Sequence, residues 1–351
     1  MSGTLVASTI NAGASASLLL QSNNTTALTL DTSQNVTAVG TVAMASSFKR
    51  NRIINGNLMI WQRGTSGFTT ANNYCADRWF VSTAGTLTAV AQSTDVPSGA
   101  FPYSLSVAGT NVPQFYQRIE SVNSYDLSGQ SVTVSFWAKQ TTGAGASSLQ
   151  LSLYYPTATN NYASVTQIGT TQGFTGTSSW AQYTATFSSV PSGVANGLQF
   201  VLYSNVGGSS TTLLTGVQLE VGTKATPYEM QIYSDQLAQC QRYYQQIGGN
   251  SSVGAAAYSM MGSGIAISTT TADIMVPLLV SMRTAPTLNT SNTAIQVVST
   301  NYAVTSFSSI GTTFNTVWIR TVTGGVFVAG YGAIFSANNN TAGYISMSAE
   351  L

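Results

Sequence analysis

The sequence predicts an all-β protein, and three observations support this fold class. Of its 351 residues, 43% are hydrophobic and 10% are aromatic, which is too many for a chain that buries nothing. Only 6% are charged, against roughly 25% in an average soluble domain, so Ser, Thr, Asn, Gln and Gly must build the polar surface. Short runs of alternating apolar and polar residues are separated by turn-forming residues, a pattern that indicates strands joined by tight turns.

Residues 1–50 predict a β-meander. Leu18 and Leu20, and then Leu28 and Leu30, alternate with polar residues in the period of a strand. So few apolar side chains do not fill a core, because a unit below ~40 residues normally needs a disulfide, a metal or partner chains. We therefore expect this segment to be an anchor that associates with identical chains in a fibrous homotrimer. A flexible tail is the alternative.

Residues 51–232 predict a β-sandwich of the jelly-roll type. About eight strands at short spacing are typical of two-sheet folds. The expected strands are Leu87–Ala91, Tyr103–Val107, Phe115–Ile119, Ser131–Ala138, Leu149–Leu153, Ala181–Phe187, Leu198–Tyr203 and Leu213–Leu219. The segments Asn51–Gly64 and Leu213–Ser234 bracket this region, and each predicts an outer strand.

One strand of this region predicts which of its faces is buried. Val132, Val134 and Phe136 lie on one face of a strand, because alternate side chains point the same way. That face is expected to contact the core. Trp137 is expected to cover the opposite face.

Residues 233–249 predict a short connecting helix. Ser234 is a candidate N-cap, and Leu237, Cys240 and Tyr244 follow at helical spacing. Gly248 and the glycine after it are expected to end the helix. The helix either connects two domains or packs between chains of a trimer.

Residues 250–351 predict a C-terminal β-domain. The expected strands are Gly264–Ser268, Asp273–Pro277, Ile295–Ser299, Thr316–Val322 and Gly343–Ala349. Phe307–Phe314 and Asn338–Thr341 are expected to be outward loops.

Several segments of the chain resemble virion fibre proteins of tailed bacteriophages. NRIINGNLMIWQRG at 51–64, DRW at 77–79, SFWAK at 135–139 and VQLEVG at 217–222 are similar to segments of the carbohydrate-binding-module type of jelly roll in such proteins. LLLQSNNTTALTLDTSQNVTAVG from Leu18, QLAQCQRYYQ from Gln236 and YISMSAEL from Tyr344 resemble their shaft, connector and closing strand.

The resemblance implies a structural role in the virion. It implies a trimeric fibre that attaches to other virion proteins through residues 1–50 and adheres to a host cell-surface glycan. Residues 250–351 would then form its distal tip. Attachment to the tail and attachment to the head, as a head fibre or decoration protein, both remain open. A free secreted lectin is a further alternative, although the sequence starts without the charged and apolar stretches of a secretory signal.

Aromatic side chains are the natural platform for a sugar, because the apolar face of a pyranose packs against a ring. Tyr154, Tyr155 and Tyr162 lie around the loop signal Pro156–Asn161 and are the candidate carbohydrate contacts of the central domain. The candidates of the C-terminal domain are Tyr302, Trp318 and Tyr331. Packing in a core is the alternative role for all six.

For a few charged residues, a structural role and a binding role are both considered. Arg63, Asp77 and Arg78 form either a structural ion-pair cluster or a clamp on a vicinal diol. Glu220 is a calcium candidate, because jelly rolls that resemble this one often carry calcium, but Asn57 stands where an acidic residue would strengthen the site. We therefore expect no metal and no other cofactor.

Charge and residue types argue against several functions. With eleven Lys and Arg, ten Asp and Glu and a net charge of +1, the chain offers no basic stripe for nucleic acid. It has no histidine, the commonest general base, and we expect no enzyme activity. The carboxylates Glu120 and Asp126, or Glu229 and Asp235, are close in sequence but are expected at strand ends and linkers.

The compartment and the state of the thiols follow from two further observations. No apolar run approaches the ~18 residues of a membrane span, so we expect synthesis in the host bacterial cytoplasm, no membrane insertion and a final location in the virion. Cys75 and Cys240 are the only cysteines. They are expected to be reduced and buried, unless the fold brings them together in a bridge.

Overall fold

The computed structural model describes residues 18–22, 25–30, 36–38, 49–97, 99, 101–249 and 257–351. The described part is almost entirely β-structure with one α-helix, which confirms the predicted all-β fold class. The chain divides into two compact units, Met1–Lys49 and Arg50–Leu351. No helix of the described residues is both long and apolar enough to cross a membrane.

The first unit contains a three-stranded antiparallel sheet. Its strands, in the order β1-β2-β3, are β1 (Leu18–Ser22), β2 (Thr25–Leu30) and β3 (Val36–Ala38). The predicted meander is therefore confirmed. The rest of the anchor predicted at 1–50, apart from its last two residues, lies outside the described residues, and the homotrimer stays a prediction.

The second unit begins with a β-sandwich of eleven antiparallel strands. The strands are β4 (Asn73–Tyr74), β5 (Phe80–Ser82), β6 (Leu87–Ser93), β7 (Ser104–Thr110), β8 (Gln114–Ile119), β9 (Val132–Thr142), β10 (Leu149–Ala158), β11 (Asn161–Phe174), β12 (Ala181–Phe187), β13 (Leu198–Ser204) and β14 (Ser209–Val221). One sheet has the order β11-β10-β13-β8-β5-β4, and the other has the order β12-β9-β14-β7-β6. All eight predicted strands are present, whereas β4, β5 and the 14-residue β11 were not predicted.

The core of the sandwich lies between its two sheets. Val132, Val134 and Phe136 on β9 are fully buried in it, as the alternation predicts. Leu149, Leu151 and Leu153 on β10, each 0% exposed, face the same core from the other sheet.

The two bracketing segments were predicted to be outer strands, and this prediction is wrong. Residues 51–64 contain no strand: Asn55 and Leu58 have positive φ values (56° each), and the buried Asn55 side chain bonds to main-chain groups of Ile60 and Asp77. Side-chain amides thus replace the ladder of a sheet. The second segment does contain a strand, but β14 is the central strand of its five-stranded sheet.

The connecting helix is shorter than the sequence predicts. Helix α1 covers Tyr233–Gln241 and begins after Ile232 as its N-cap, rather than at Ser234. Tyr244 lies in the next strand, β15 (Tyr244–Gly248), which pairs with the last strand of the chain. The helical spacing of Leu237, Cys240 and Tyr244 was therefore misleading, because strand pairing outweighs local helical periodicity at Tyr244.

A second hydrophobic core lies in the region that follows, here called the barrel lobe. Its strands are β15, β16 (Met260–Ala266), β17 (Thr271–Val276), β18 (Thr287–Ser291), β19 (Thr293–Val297), β20 (Thr300–Thr312), β21 (Val317–Thr323), β22 (Gly332–Ala337) and β23 (Tyr344–Ser348). Six of them close a barrel in the order β16-β17-β21-β20-β19-β22, and β15-β23-β18 form a separate sheet.

Both predicted outward loops lie in the barrel lobe, and only one of them is a loop in the structure. Asn338–Thr341 is a loop, as predicted. Most of Phe307–Phe314 is not a loop, because β20 continues to Thr312 and pairs with β21. Pairing with β21 makes this stretch a strand.

Candidate functional site

The most distinctive surface of the sandwich is a group of tyrosines on the outer side of the six-stranded sheet. Ser152, Val201 and Tyr116 pair in one row across β10, β13 and β8. Tyr154 and Tyr203 each follow a member of this row by two positions, so they share its face. Val201 is 0% exposed yet lies outside the sandwich core, which identifies this as the outer face. Tyr116, Tyr154 and Tyr203 are called the tyrosine face below.

Hydrogen bonds connect the phenols of the tyrosine face. The hydroxyl groups of Tyr154 and Tyr203 are 2.8 Å apart. The Tyr116 hydroxyl donates to the side-chain carbonyl of Gln114, and Gln114 and Gln150 flank Tyr203 in the register of the sheet. Amide and hydroxyl groups therefore lie next to three aromatic rings.

Burial favours the neutral form of two phenols of this face, those of Tyr203 and Tyr116. Burial raises the pKa of Tyr203, and the hydrogen bond with Tyr154 raises it further. Burial also raises the pKa of Tyr116. The face therefore presents half-buried rings and uncharged hydrogen-bonding groups.

Further aromatic residues continue the face across β5 and β4. The ring of Phe80 contacts those of Tyr116 and Tyr74 edge-on, with centroid distances of 5.7 and 5.2 Å. Arg118 lies next to Phe80, with its guanidinium 5.4 Å from the ring centroid, and donates to the carbonyl oxygen of Leu351. The contact with Leu351 closes this end of the aromatic surface.

The structure separates the three tyrosines predicted around Pro156–Asn161. Only Tyr154 belongs to the tyrosine face. Tyr155 packs against the sandwich core, and its ring lies 2.2 Å from the point that a Cβ atom on Gly193 would occupy. Tyr162 donates hydrogen bonds to the carbonyls of Ile119 and Leu198, so it ties strands together. Residues 159 and 160 alone form the turn between β10 and β11.

The three aromatic candidates of the C-terminal region lie in the barrel lobe. Tyr302 packs edge-on against Phe327 at 5.2 Å between ring centroids. Trp318 is 40% exposed and pairs across the barrel wall with Met275, and Tyr331 is 50% exposed. The structure does not bring these three residues into the tyrosine face.

Arg63, Asp77 and Arg78 lie in a charged cluster with Glu350, between the sandwich and the barrel lobe. Arg63 is 3.0 Å from the Glu350 carboxylate and 3.7 Å from that of Asp77, and Arg78 contacts the other oxygen of Glu350. Asp77 also accepts two hydrogen bonds from Gln62, at 2.6 and 2.8 Å. The geometry is that of an internal junction, because the side chains of Asp77 and Arg78 are at most 1% exposed.

Aromatic rings contact both arginines of this cluster, and burial raises the pKa of its aspartate. The guanidinium carbons of Arg63 and Arg78 lie 3.6 and 3.5 Å from the ring centroids of Tyr244 and Tyr243. Burial raises the pKa of Asp77 to about 6, although Arg63 and the bonds from Gln62 favour its ionised form.

The carboxylate of Glu220 accepts hydrogen bonds from neighbouring groups of the protein. Its carboxylate accepts hydrogen bonds from the Gln218 amide at 2.9 Å and from the Thr226 main chain and hydroxyl at 2.8 and 2.7 Å. This arrangement fixes the loop after β14. Within the described residues, no group of three or more His, Cys, Asp or Glu side chains could hold a metal ion.

Cys75 and Cys240 are both free and buried, in agreement with the expectation of reduced thiols. Burial raises the pKa of the Cys75 thiol to about 12, so this thiol is protonated and unreactive at neutral pH.

Sequence reasoning missed Tyr116, Tyr203 and Phe80. A usable signal was present, since Gln114, Tyr116 and Arg118 alternate with Phe115 in one strand. The alternation shows that these side chains share a face. It does not show which strands become neighbours, and the face exists only because β10 and β8 both pair with β13.

No family model matches the sequence, and no curated protein matches it. Solved structures match parts of the chain. One is the enzymatically active domain of tailspike protein 4 from bacteriophage CBA120, with 18% identity, a TM-score of 0.34 and coverage of 49% of this chain and 22% of that one. Another is the CBM22-1 xylan-binding domain from Paenibacillus barcinonensis, with 14% identity, a TM-score of 0.31 and coverage of 46% of this chain and 97% of that one. A third is TmCBM61 in complex with β-1,4-galactotriose, with 16% identity, a TM-score of 0.30 and coverage of 50% and 100%.

Proposed function

We propose that this chain is a non-catalytic glycan-binding protein and that the tyrosine face binds the sugar. The observation that carries the proposal is the exposure of neutral aromatic and amide groups side by side on one sheet. The rings of Tyr116, Tyr154 and Tyr203 can pack against the apolar faces of pyranose units. Gln114 and Gln150 can exchange hydrogen bonds with the sugar hydroxyls.

The charged groups near this sheet support a binding role over a catalytic one. Glycoside hydrolysis needs two carboxyl groups roughly 5 to 9.5 Å apart across the scissile bond. Glu120 is instead buried and engaged by Arg242 at 3.1 Å, and Asp126 is 2.6 Å from Arg52. Glu120 and Asp126, one of the two carboxylate pairs that are close in sequence, therefore have separate arginine partners.

The wider role that we propose is adhesion of a bacteriophage to its host. The chain would form a homotrimeric virion fibre, attached to other virion proteins through residues 1–50. Three copies of a weak site on one particle raise the effective concentration for the second and third contacts. The resemblance of segments such as SFWAK and VQLEVG to fibre proteins supports this role, and a head fibre or decoration protein is the alternative placement.

The test is binding of the purified protein to an immobilised panel of short neutral oligosaccharides. Tyr154→Ala and Tyr203→Ala should each weaken binding about tenfold, because each removes a ring of the proposed platform. Tyr125→Ala is the matched control, since Tyr125 is 63% exposed and lies in the short turn Tyr125–Leu127, outside the tyrosine face.

Unchanged affinity in both tyrosine variants would refute the assignment of the site. A wild-type protein that binds no member of the panel would refute the function itself. Circular dichroism of each variant checks that the sandwich is intact.

A further inference from the structure

A cavity lies on the other sheet of the sandwich, on the side away from the tyrosine face. It is a trench of about 770 Å³ beside the junction of β9 and β12. Trp137 on β9 and Gln182, Thr184 and Thr186 on β12 line one side, and the loop that contains Lys224 lines the other. The tyrosine face and the trench are separated by the full thickness of the sandwich core, because they lie on the outer sides of different sheets.

A β-bulge shapes the sheet next to Trp137. On β14, Thr215 pairs with Trp137 and Gln218 pairs with Ser135, so two residues of β14 oppose one of β9. Bulges bend a strand and redirect neighbouring side chains. Gly216 in this bulge has a φ of +59°, and a Cβ atom there would lie 2.5 Å from the ring of Phe101.

The rim of the trench is rigid on the side of the loop. Phe101 packs edge-on against Tyr228 at 5.1 Å between ring centroids, and both residues line the trench. Thr226 in the same loop is bonded to the buried Glu220. Both contacts fix the loop at the rim of the trench.

Several polar groups of the trench have no partner in the described part of the chain. Neither the indole N–H of Trp137 nor the side chains of Gln182 and Thr184 make a hydrogen bond there, and Lys224 forms no ion pair there. By contrast, the indole N–H groups of Trp61 and Trp79 donate to main-chain carbonyls at 2.7 and 2.9 Å.

We propose that this trench is a second saccharide-binding site, with a pyranose unit packed against Trp137. The half-buried indole supplies an apolar surface for the sugar ring. Gln182 and Thr184 lie in register beside Trp137 and Ser135, so their free amide and hydroxyl groups are placed to bond with sugar hydroxyls. The site takes a neutral saccharide, and each chain thereby binds glycan on both faces of its sandwich.

The experiment is calorimetric titration of the complete protein with the best-binding oligosaccharide of a neutral panel, followed by the same titration of variants. We expect two sites per chain. Trp137→Ala and Gln182→Ala should each weaken the second site about tenfold and leave the first unchanged. Gln130→Ala is the control for Gln182→Ala, because Gln130 is an exposed glutamine that does not line the trench.

Two results separate this inference from the proposed function. A single site per chain that is lost in Tyr154→Ala and retained in Trp137→Ala would overturn the trench and leave the tyrosine face intact. Binding that is lost in Trp137→Ala and retained in the tyrosine variants would support the trench and overturn the tyrosine face. Trp137→Phe keeps an aromatic ring and loses the N–H. It should retain part of the affinity, and it tests the site in case the alanine variant does not fold.

Discussion

Glu350 and Arg78 form an ion pair although 272 positions separate them in the chain. Arg78 precedes β5 in the sandwich, and Glu350 follows β23, the last strand of the barrel lobe. The side chains are only 1% and 6% exposed, so the pair is removed from solvent. It therefore joins the two hydrophobic cores through a contact whose loss leaves a buried charge.

We predict that Glu350→Gln lowers the free energy of unfolding by about 3 to 5 kcal/mol, because Arg78 remains buried without its carboxylate partner. Denaturation in urea measures the loss. Asp126→Asn is the control, since Asp126 is 41% exposed in its pair with Arg52, and such surface pairs contribute about 1 kcal/mol or less. Equal losses in both variants would show that burial does not set the strength of these pairs.

The pKa of Asp77 predicts a pH dependence of stability. Because burial raises this pKa from 3.8 to about 6, the folded state binds a proton more tightly than the unfolded state does. The contribution of Asp77 to stability is therefore largest below pH ~4 and falls by about 3 kcal/mol as the pH rises through about 6.

Comparison with Asp77→Asn isolates this effect. The variant cannot ionise at position 77, so its stability relative to the wild type should increase between pH ~4 and pH ~6. Arg63, Glu350 and Gln62 face the carboxyl group and are present in both proteins. Parallel stability curves in urea denaturation would contradict the prediction.

The glycine of the β14 bulge should not tolerate a side chain. Gly216→Ala places a Cβ atom against the Phe101 ring at a positive φ, and we expect a loss of about 1 to 3 kcal/mol. Gly208→Ala is the matched control, because no atom lies within 4 Å of its Cβ position. Thermal unfolding of the two variants measures the difference, and similar melting temperatures would contradict the strain at Gly216.

Glycan binding should depend little on salt. The tyrosine face presents neutral phenols and amides, and the contacts of such groups are not screened by ions. Titrations in dilute buffer and at about 0.5 M salt should give affinities within about twofold of each other. A steep loss of affinity at high salt would instead implicate charged groups such as Arg118 or Lys224.

The trimer is testable by light scattering. We expect the complete chain to have three times the mass of one chain, because the three short strands of the first unit are too few to form a core alone. A chain that begins at Arg50 should be a monomer. A monomeric complete chain at micromolar concentration would refute the prediction.

Local sequence patterns predicted the strands of the sandwich well. Alternation placed Val132, Val134 and Phe136 in the core. Each of the eight expected strands overlaps one strand of the structure. These strands bury one face, so their period is visible in a single sequence. The edge strand β11 was missed because its exposed residues, such as Thr170 and Thr171, carry no such alternation.

The candidate site could be predicted only in part. Tyr154 was named for its position near a turn, but its neighbours Tyr116 and Tyr203 come from strands that are distant in the sequence. Strand order is a property of the whole sheet, and no local pattern encodes it. The same reason explains why the sequence grouped Arg63, Asp77 and Arg78, which are close in the chain, and did not associate Glu350 of the other lobe with them.

The closed barrel limits the ways in which another chain can bind to its strands. Every strand from β16 to β22 within the ring has a hydrogen-bonded neighbour on both sides, so the ring offers no free edge to which a further strand could add. The rings of neighbouring copies therefore cannot merge through edge strands, whereas the separate sheet β15-β23-β18 keeps two outer strands. Any contact that the ring makes with another molecule therefore uses side chains of its outer wall, such as the exposed Trp318 and Met275, and can change by substitution without altering the backbone.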